Sequence, residues 1–322
     1  MEIYLIGLAV ALVGGLLMSR LTRLLHLPAV TAYLVAGLLL GPFFLGRLNV
    51  PGLGFNTLEE VNVLSIVSQT ALGFIAFAMG NEFRLSQLRT IGSRAIIIGI
   101  LQAVITTVVV DVVLLLLHLF FPHIISVPCA ITLGAIAAAT APAATLMVVR
   151  QYKADGPMTR LLMLVVALDD AVGLLLFSVS FGIATALSNG QVSVLAVVIE
   201  PIVEILLSVG LGGFMGLLLH WVERFFHSRS KRMSLSVAFV MLTVGLSMLE
   251  FQIGPVHCGF SLLLVCMMTG TIFCNVCPTS EELMERVDGW TMPLNILFFV
   301  ISGAELDLNV LSQPVTLIVG II

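Results

Sequence analysis

The sequence predicts an all-α polytopic membrane protein, and three observations carry that prediction. Apolar stretches of about 20 residues, long enough to cross about 30 Å of hydrocarbon, recur along nearly the whole chain. Lys and Arg gather on alternate connections between those stretches. Short patterns near the start return, in order, near the end. Composition agrees: 59% of the 322 residues are hydrophobic and 10% are charged, against roughly 25% charged in a soluble domain. No soluble domain is visible. There is no phosphate-binding Gly-rich loop, no nucleophile elbow and no basic stripe suited to nucleic acid, so neither an enzyme nor a nucleic-acid binder is expected.

Ten spans are expected, at 3–24, 29–46, 61–82, 95–121, 127–149, 159–187, 192–222, 233–250, 255–276 and 290–306. An eleventh opens at Pro314 and is cut off at Ile322. The first lacks a basic leader and a small-residue cleavage site, so it reads as a retained helix. Basic residues set the orientation. Arg20 and Arg23 follow span one; Arg84, Arg89 and Arg94 follow span three; Arg150, Lys153 and Arg160 follow span five. Arg224, Arg229, Lys231 and Arg232 follow span seven, and Arg286 follows span nine. Of the 14 Lys and Arg, Arg47 alone falls on the other side. The positive-inside rule then predicts a multi-pass protein of the cell membrane with an extracellular N-terminus.

The chain also repeats itself. Gly80-x-Glu82 in FIAFAMGNEFRL (74–85) answers Gly303-x-Glu305 in FFVISGAELDL (298–308). YLVAGLLLGPFF (33–44) lays onto LLLVCMMTGTIF (262–273), matching Gly41 to Gly270. Both pairings shift the chain by seven spans. Seven is odd, so the copies run oppositely through the membrane: an inverted repeat, as in many secondary transporters.

Span six carries the most informative polar residues, Asp169 and Asp170, in LLMLVVALDDAVGLLLF. One Asp at the centre of a membrane helix costs about 2.5–3.5 kcal/mol on insertion scales. Apolar packing avoids that penalty, so a carboxylate pair here points to a site for a small cation or protons. Span five, GAIAAATAPAATLMVV, is built of small residues around Pro142. A proline removes a helical hydrogen bond, and within a bilayer such a break is tolerated where the freed backbone lines a polar cavity. Thr140 and Thr145 add hydroxyl oxygens, and carbonyls at the end of a half-helix favour a cation.

TAPAAT followed one span later by ALDDAVG resembles the cation:proton antiporter superfamily, in particular its second branch of bacterial sodium/proton and potassium/proton antiporters. YLVAGLLLGP and FFVISGAELDL are similar to that family as well, so the resemblance covers essentially the whole chain. It implies the inverted-repeat sodium/proton antiporter fold of thirteen helices, about ten and a half of which are present, with a broken helix in the first core. It also implies a homodimer working by alternating access. The domains would be 1–94, dimerisation helices of the first repeat; 95–187, its core; 188–231, a linker helix; 232–308, dimerisation helices of the second repeat; and 309–322, the start of a second core that is cut off. In that case the chain reads as truncated at its C-terminus.

Carried over by residue, Asp170 would be the principal ion and proton carboxylate, Asp169 would assist, and Thr140 with the backbone at Ala141 would complete the shell. A monovalent cation would sit at Asp170, Asp169 and Thr140, with the broken helix at Pro142 and Thr145. No cofactor is expected; Na+, Li+ or K+ and H+ are the transported ions. Buried carboxylates hold protons more tightly than exposed ones, so protons compete with the cation for one site and couple opposite flows. Members of that family with two aspartates tend to be Na+-selective, so the resemblance implies Na+ here. The alternatives are an electroneutral or K+-preferring exchanger, or a non-transporting membrane subunit or sensor with a truncated antiporter fold. Asp111 in span four and Glu200 and Glu204 in span seven are possible pathway acids. Cys274 and Cys277 form a CxxC with no accompanying histidine, which reads as small-residue packing.

Overall fold

The computed structural model describes residues 2–24, 27–48, 54–81, 85–122, 125–140, 142–189, 200–249, 251–253 and 256–309. In chain order these form α1 (Glu2–Leu24), α2 (Ala29–Leu40) with a 3-10 turn at Leu45–Leu48, α3 (Leu58–Val63), α4 (Ser65–Asn81) and α5 (Leu85–Phe120). There follow α6 (Val127–Ala138), α7 (Pro142–Gln151), α8 (Pro157–Asn189), α9 (Glu200–Glu223) and α10 (Arg229–Ser247). A hairpin of β1 (Phe251–Ile253) and β2 (Val256–Cys258) leads to α11 (Leu262–Val276) and α12 (Ser280–Ala304). Helix forms in every one of the ten predicted spans. The eleventh lies outside the described residues.

Where boundaries differ from expectation, local chemistry gives the reason. The ninth span starts at Leu262 rather than 255 because β1 and β2 pair antiparallel, Phe251 opposite Cys258. Ser261 then caps α11 by accepting a hydrogen bond from the Leu264 N–H. The third span is split at Leu64. Its first piece is held by a reciprocal cap, the Thr57 side chain accepting from the Glu60 N–H while the Glu60 carboxylate accepts from the Asn56 N–H at 2.8 Å. Spans four and ten begin earlier than read from hydropathy, at Leu85 and Ser280, because helical hydrogen bonding continues past the apolar stretch into polar sequence.

Among the described residues, five helical segments are long and apolar enough to cross a membrane: Tyr4–Thr22, Ala29–Leu48, Ala95–Phe120, Ile202–Glu223 and Ser280–Ala304. One side of α5 is exposed along its length among the described residues, with Ile97, Leu101, Ile105, Val108, Val112 and Leu116 on the surface. An apolar face of that extent is untenable in water and ordinary in lipid. Thr107, Thr243 and Thr269 are buried, and each donates its hydroxyl to the carbonyl four residues back, so these three hydroxyls are not stranded.

The chain forms two compact units. The first comprises residues 1–75, 143–154 and 282–321. Within it α1 packs on α2, and α2 crosses α12 at backbone contact: Gly37 lies against the Val300 carbonyl and Gly303 against that of Leu34. The second unit comprises 76–142 and 155–281. Here α5, α6 and α8 pack together, while Gly212 and Gly216 of α9 meet the carbonyls of Val265 and Thr269 on α11. The end of α4 crosses α11 in the same manner as α2 crosses α12, Gly80 against the Met267 carbonyl and Gly270 against that of Phe77.

The two glycine crossings are images of each other under the seven-span shift. Shifting α2 gives α11, and shifting α4 gives α12, so an α2–α12 contact must reappear as α11–α4. Residue pairs agree as well. A side-chain carbon at Gly41 would lie 3.1 Å from the Cα of Ala304, and one at Gly270 would lie 3.1 Å from the Asn81 nitrogen. The register that aligns Gly80 with Gly303 also aligns Asn81 with Ala304.

A methyl group at either crossing has no room. Gly270→Ala should lower stability by about 1–3 kcal/mol, the usual range for overpacking. Gly213→Ala, on an open face of α9, should be neutral or slightly stabilising through helix propensity. Thermal unfolding of the detergent-solubilised protein compares the two.

Candidate ion site at the broken helix

α6 opens on Ser126, whose side chain accepts from the Cys129 N–H, with Pro128 in the first turn where a missing N–H does no harm. It ends at Ala138. Ala139 turns extended (φ −69°, ψ 133°), its N–H reaching back only to the Ile136 carbonyl at 3.1 Å. Helix resumes with Pro142 as the first residue of α7. The proline therefore opens the second half rather than kinking a continuous helix. The break lies just before it, and Ala141 is outside the described residues.

A helix broken in this way leaves the last carbonyls of α6 and the N–H groups that follow without helical partners. One is recovered from α8. The Thr140 N–H donates to Asp169 Oδ2 at 2.9 Å. Asp169 is fully buried, at 0% exposure. Among the described residues, its second oxygen, Oδ1, has no hydrogen-bond partner, and neither has the Thr140 hydroxyl. The residues carrying these two oxygens are tied together by the 2.9 Å bond at the helix break. The fit between α6 and α8 depends on small residues here. Gly173, one turn beyond Asp169, packs toward Ala139, and a carbon added to it would lie 3.9 Å from the Ala139 side chain.

Buried polar atoms without partners are exceptions that call for an explanation. A carboxylate oxygen and a hydroxyl oxygen beside the carbonyl end of a half-helix make an all-oxygen set, suited to a hard cation or to a proton on the carboxylate. Asp170 is in α8, but its side chain is outside the described residues, as are those of Pro142 and Glu200. Thr145 is on α7 and has a bonding partner of its own.

Asp111 is half-buried on α5 and lies against α6: a carbon added to Gly134 would collide with its carboxylate. Its Oδ1 also lacks a hydrogen-bond partner. Glu204 is half-buried on α9, where Ser208 donates to its backbone carbonyl at 2.6 Å and accepts from the Ser261 N–H at 2.9 Å. A cavity of about 1070 Å³ belongs to the first unit, with Arg20, Tyr33, Arg150, Asp288 and Asn295 among its lining residues. It contains neither Asp169 nor Thr140, and its size says nothing about the ion site.

Sequence reasoning missed a second cluster. Cys277, read as packing because no histidine lies nearby in sequence, is joined in space by His220 and Glu223 from the end of α9. The His220-x-x-Glu223 spacing puts both side chains on one helix face, a signal that was available. The Cys partner lies 54 residues beyond Glu223 and could come only from the fold. Burial pushes the Cys277 thiol up from its ordinary pKa, and its hydrogen bond to Glu223 adds to the effect.

Comparison with known proteins agrees with this architecture. The chain superposes on the sodium proton antiporter MjNhaP1 of Methanocaldococcus jannaschii, solved at pH 8, with a TM-score of 0.69 and 18% identity, over 95% of this chain and 71% of that one. A second structure of the same antiporter, from electron microscopy, gives 0.70 and 19% over 94% and 69%. Identities this low establish the fold. The K(+) efflux antiporter 5 of Arabidopsis thaliana is 31% identical over 94 residues, which span 29% of this chain and only 14% of that protein. Residues 8–322 match the family described as sodium/hydrogen exchanger, transmembrane. The chain therefore belongs to the sodium/hydrogen exchanger family, within the cation:proton antiporter superfamily, and has its polytopic membrane fold.

Proposed function

We propose that this chain carries the ion site of a secondary active monovalent cation:proton antiporter. One observation carries the reading: two buried oxygens without a partner among the described residues, Asp169 Oδ1 and Thr140 Oγ1, belong to residues bonded to each other at a helix break inside an antiporter fold. Asp170 follows on the same helix and is the principal carboxylate of this reading. Either a proton or a cation neutralises the site, and the two exclude each other. That competition couples inward flow of one to outward flow of the other as the core alternates between the two sides. The Thr140 N–H holds Asp169 in place, so one oxygen stays aimed at the ion through the cycle.

Na+ is the favoured cation, because two adjacent acids give a compact, strongly charged oxygen set. K+ is the second reading, supported by the stretch similar to a potassium efflux antiporter. The clustering of basic residues on alternate connections supports an extracellular N-terminus. The family resemblance supports a homodimer in the cell membrane.

Proton flux in proteoliposomes holding the full natural gene product tests the reading, with Na+, Li+ or K+ added in turn. Asp170→Asn should abolish cation-evoked flux. Thr140→Val should weaken the apparent cation affinity about tenfold, equivalent to about 1.4 kcal/mol, with the maximal rate less affected. Flux unchanged by Asp170→Asn would exclude it as the essential carrier.

Stability separates the two roles of Asp169. Asp169→Ala leaves the part-buried Thr140 N–H without its acceptor and should cost about 1–3 kcal/mol. Asp169→Asn keeps an acceptor for that N–H, so it should unfold close to wild type while losing transport. Thermal unfolding measured alongside flux checks both outcomes.

A further inference from the structure

We infer that His220, Glu223 and Cys277 form a binding site for a divalent transition-metal ion of the zinc type, distinct from the ion site on α8. The three residues offer one nitrogen, one carboxylate oxygen and one sulfur, all within 4.8 Å of one another. They are 9%, 3% and 5% exposed. A buried imidazole, carboxylate and thiol brought together from two elements is an unusual set for packing, and it matches the donors that borderline-soft divalent ions select. Ca2+ and Mg2+ prefer all-oxygen shells and fit poorly.

The state of the imidazole is independent support. Among the described residues His220 Nδ1 has no hydrogen-bond partner, although the residue is nine-tenths buried. Its Nε2 is 2.8 Å from Arg224, and a guanidinium only donates, so Nε2 is the accepting nitrogen. Glu223 accepts from the Cys277 thiol at 2.8 Å and from the Thr279 hydroxyl at 3.2 Å, and pairs with Arg232 at 3.4 Å. In this arrangement Arg224 and Arg232 supply the positive charge that a metal would bring. Arg224 is exposed and can swing into solvent. Arg232 keeps a separate bond to the Phe226 carbonyl at 2.7 Å, so it can release the carboxylate without leaving the site.

On binding, the metal bonds to the Cys277 sulfur, one Glu223 oxygen and one His220 nitrogen, and water fills the fourth position. The thiol proton leaves to solvent and no electron is transferred. The bound ion ties the end of α9 to the connection between α11 and α12. Elements now joined by hydrogen bonds would become joined by coordinate bonds.

Co2+ is the probe, because a thiolate bound to it gives an intense near-ultraviolet charge-transfer band. The full chain, purified in detergent and freed of metal, should develop that band with one equivalent of Co2+ and lose it when Zn2+ is added. Cys277→Ser should abolish the band, and Cys129→Ser should leave it intact. His220→Gln should weaken Co2+ binding at least tenfold. Zn2+ should raise the thermal midpoint of the wild type and not that of His220→Gln, a readout that holds even if Cys277→Ser fails to fold. Wild-type protein with no thiolate band in excess Co2+ overturns the assignment, as does a band that survives Cys277→Ser.

Discussion

The hydrogen bond from the Thr140 N–H to Asp169 Oδ2 is the contact on which the candidate site depends. A membrane helix can leave its hydrogen-bonding pattern only where something other than water satisfies the freed backbone. The carboxylate of α8 does so for the chain just beyond α6. In return, the break supplies the polar surroundings that let a carboxylate remain in an apolar segment. Each irregularity makes the other tolerable. Removing the acid strands an amide, and closing the break would leave the acid among Ala, Val and Leu side chains.

Close backbone approach supplies the remaining precision. In a bilayer, lipid tails are as apolar as Leu, so helices associate through packing and not through burial from water. The glycine crossings of α2 with α12 and of α4 with α11 bring backbone directly onto backbone, leaving no gap for a side chain. Glycine at these positions holds packing surfaces together, and the same surface occurs once in each unit because the repeat generates it twice. The Gly134 contact with Asp111 uses the same device to admit an acid beside α6.

The polar groups sort into two chemical kinds. At the helix break the donors are all oxygen, suited to ions that must be bound and released. At the end of α9 the set is mixed nitrogen, oxygen and sulfur, with arginines already engaged. The two donor sets lie in one unit and differ in the kind of ion their chemistry suits.

Much was legible from the chain alone, because a bilayer imposes a simple code. Long apolar runs must be helices, basic connections must alternate, and a proline among small residues beside two acids cannot be ordinary lipid-facing helix. Those constraints are local and survive without coordinates. Three things were not local. The helix break falls at Ala139 and Thr140, with Pro142 opening the next helix, because Asp169 reaches across from α8 to hold the extended backbone. The start of α11 at Leu262 is decided by pairing between β1 and β2, which hydropathy does not register. His220 and Cys277 meet only because α9 packs along α11, and no spacing in the sequence encodes that proximity. The sequence determined which residues lie in the membrane and which of them are chemically out of place. Tertiary packing decided which of those meet, since contact between distant segments depends on helix crossings that one-dimensional patterns do not contain.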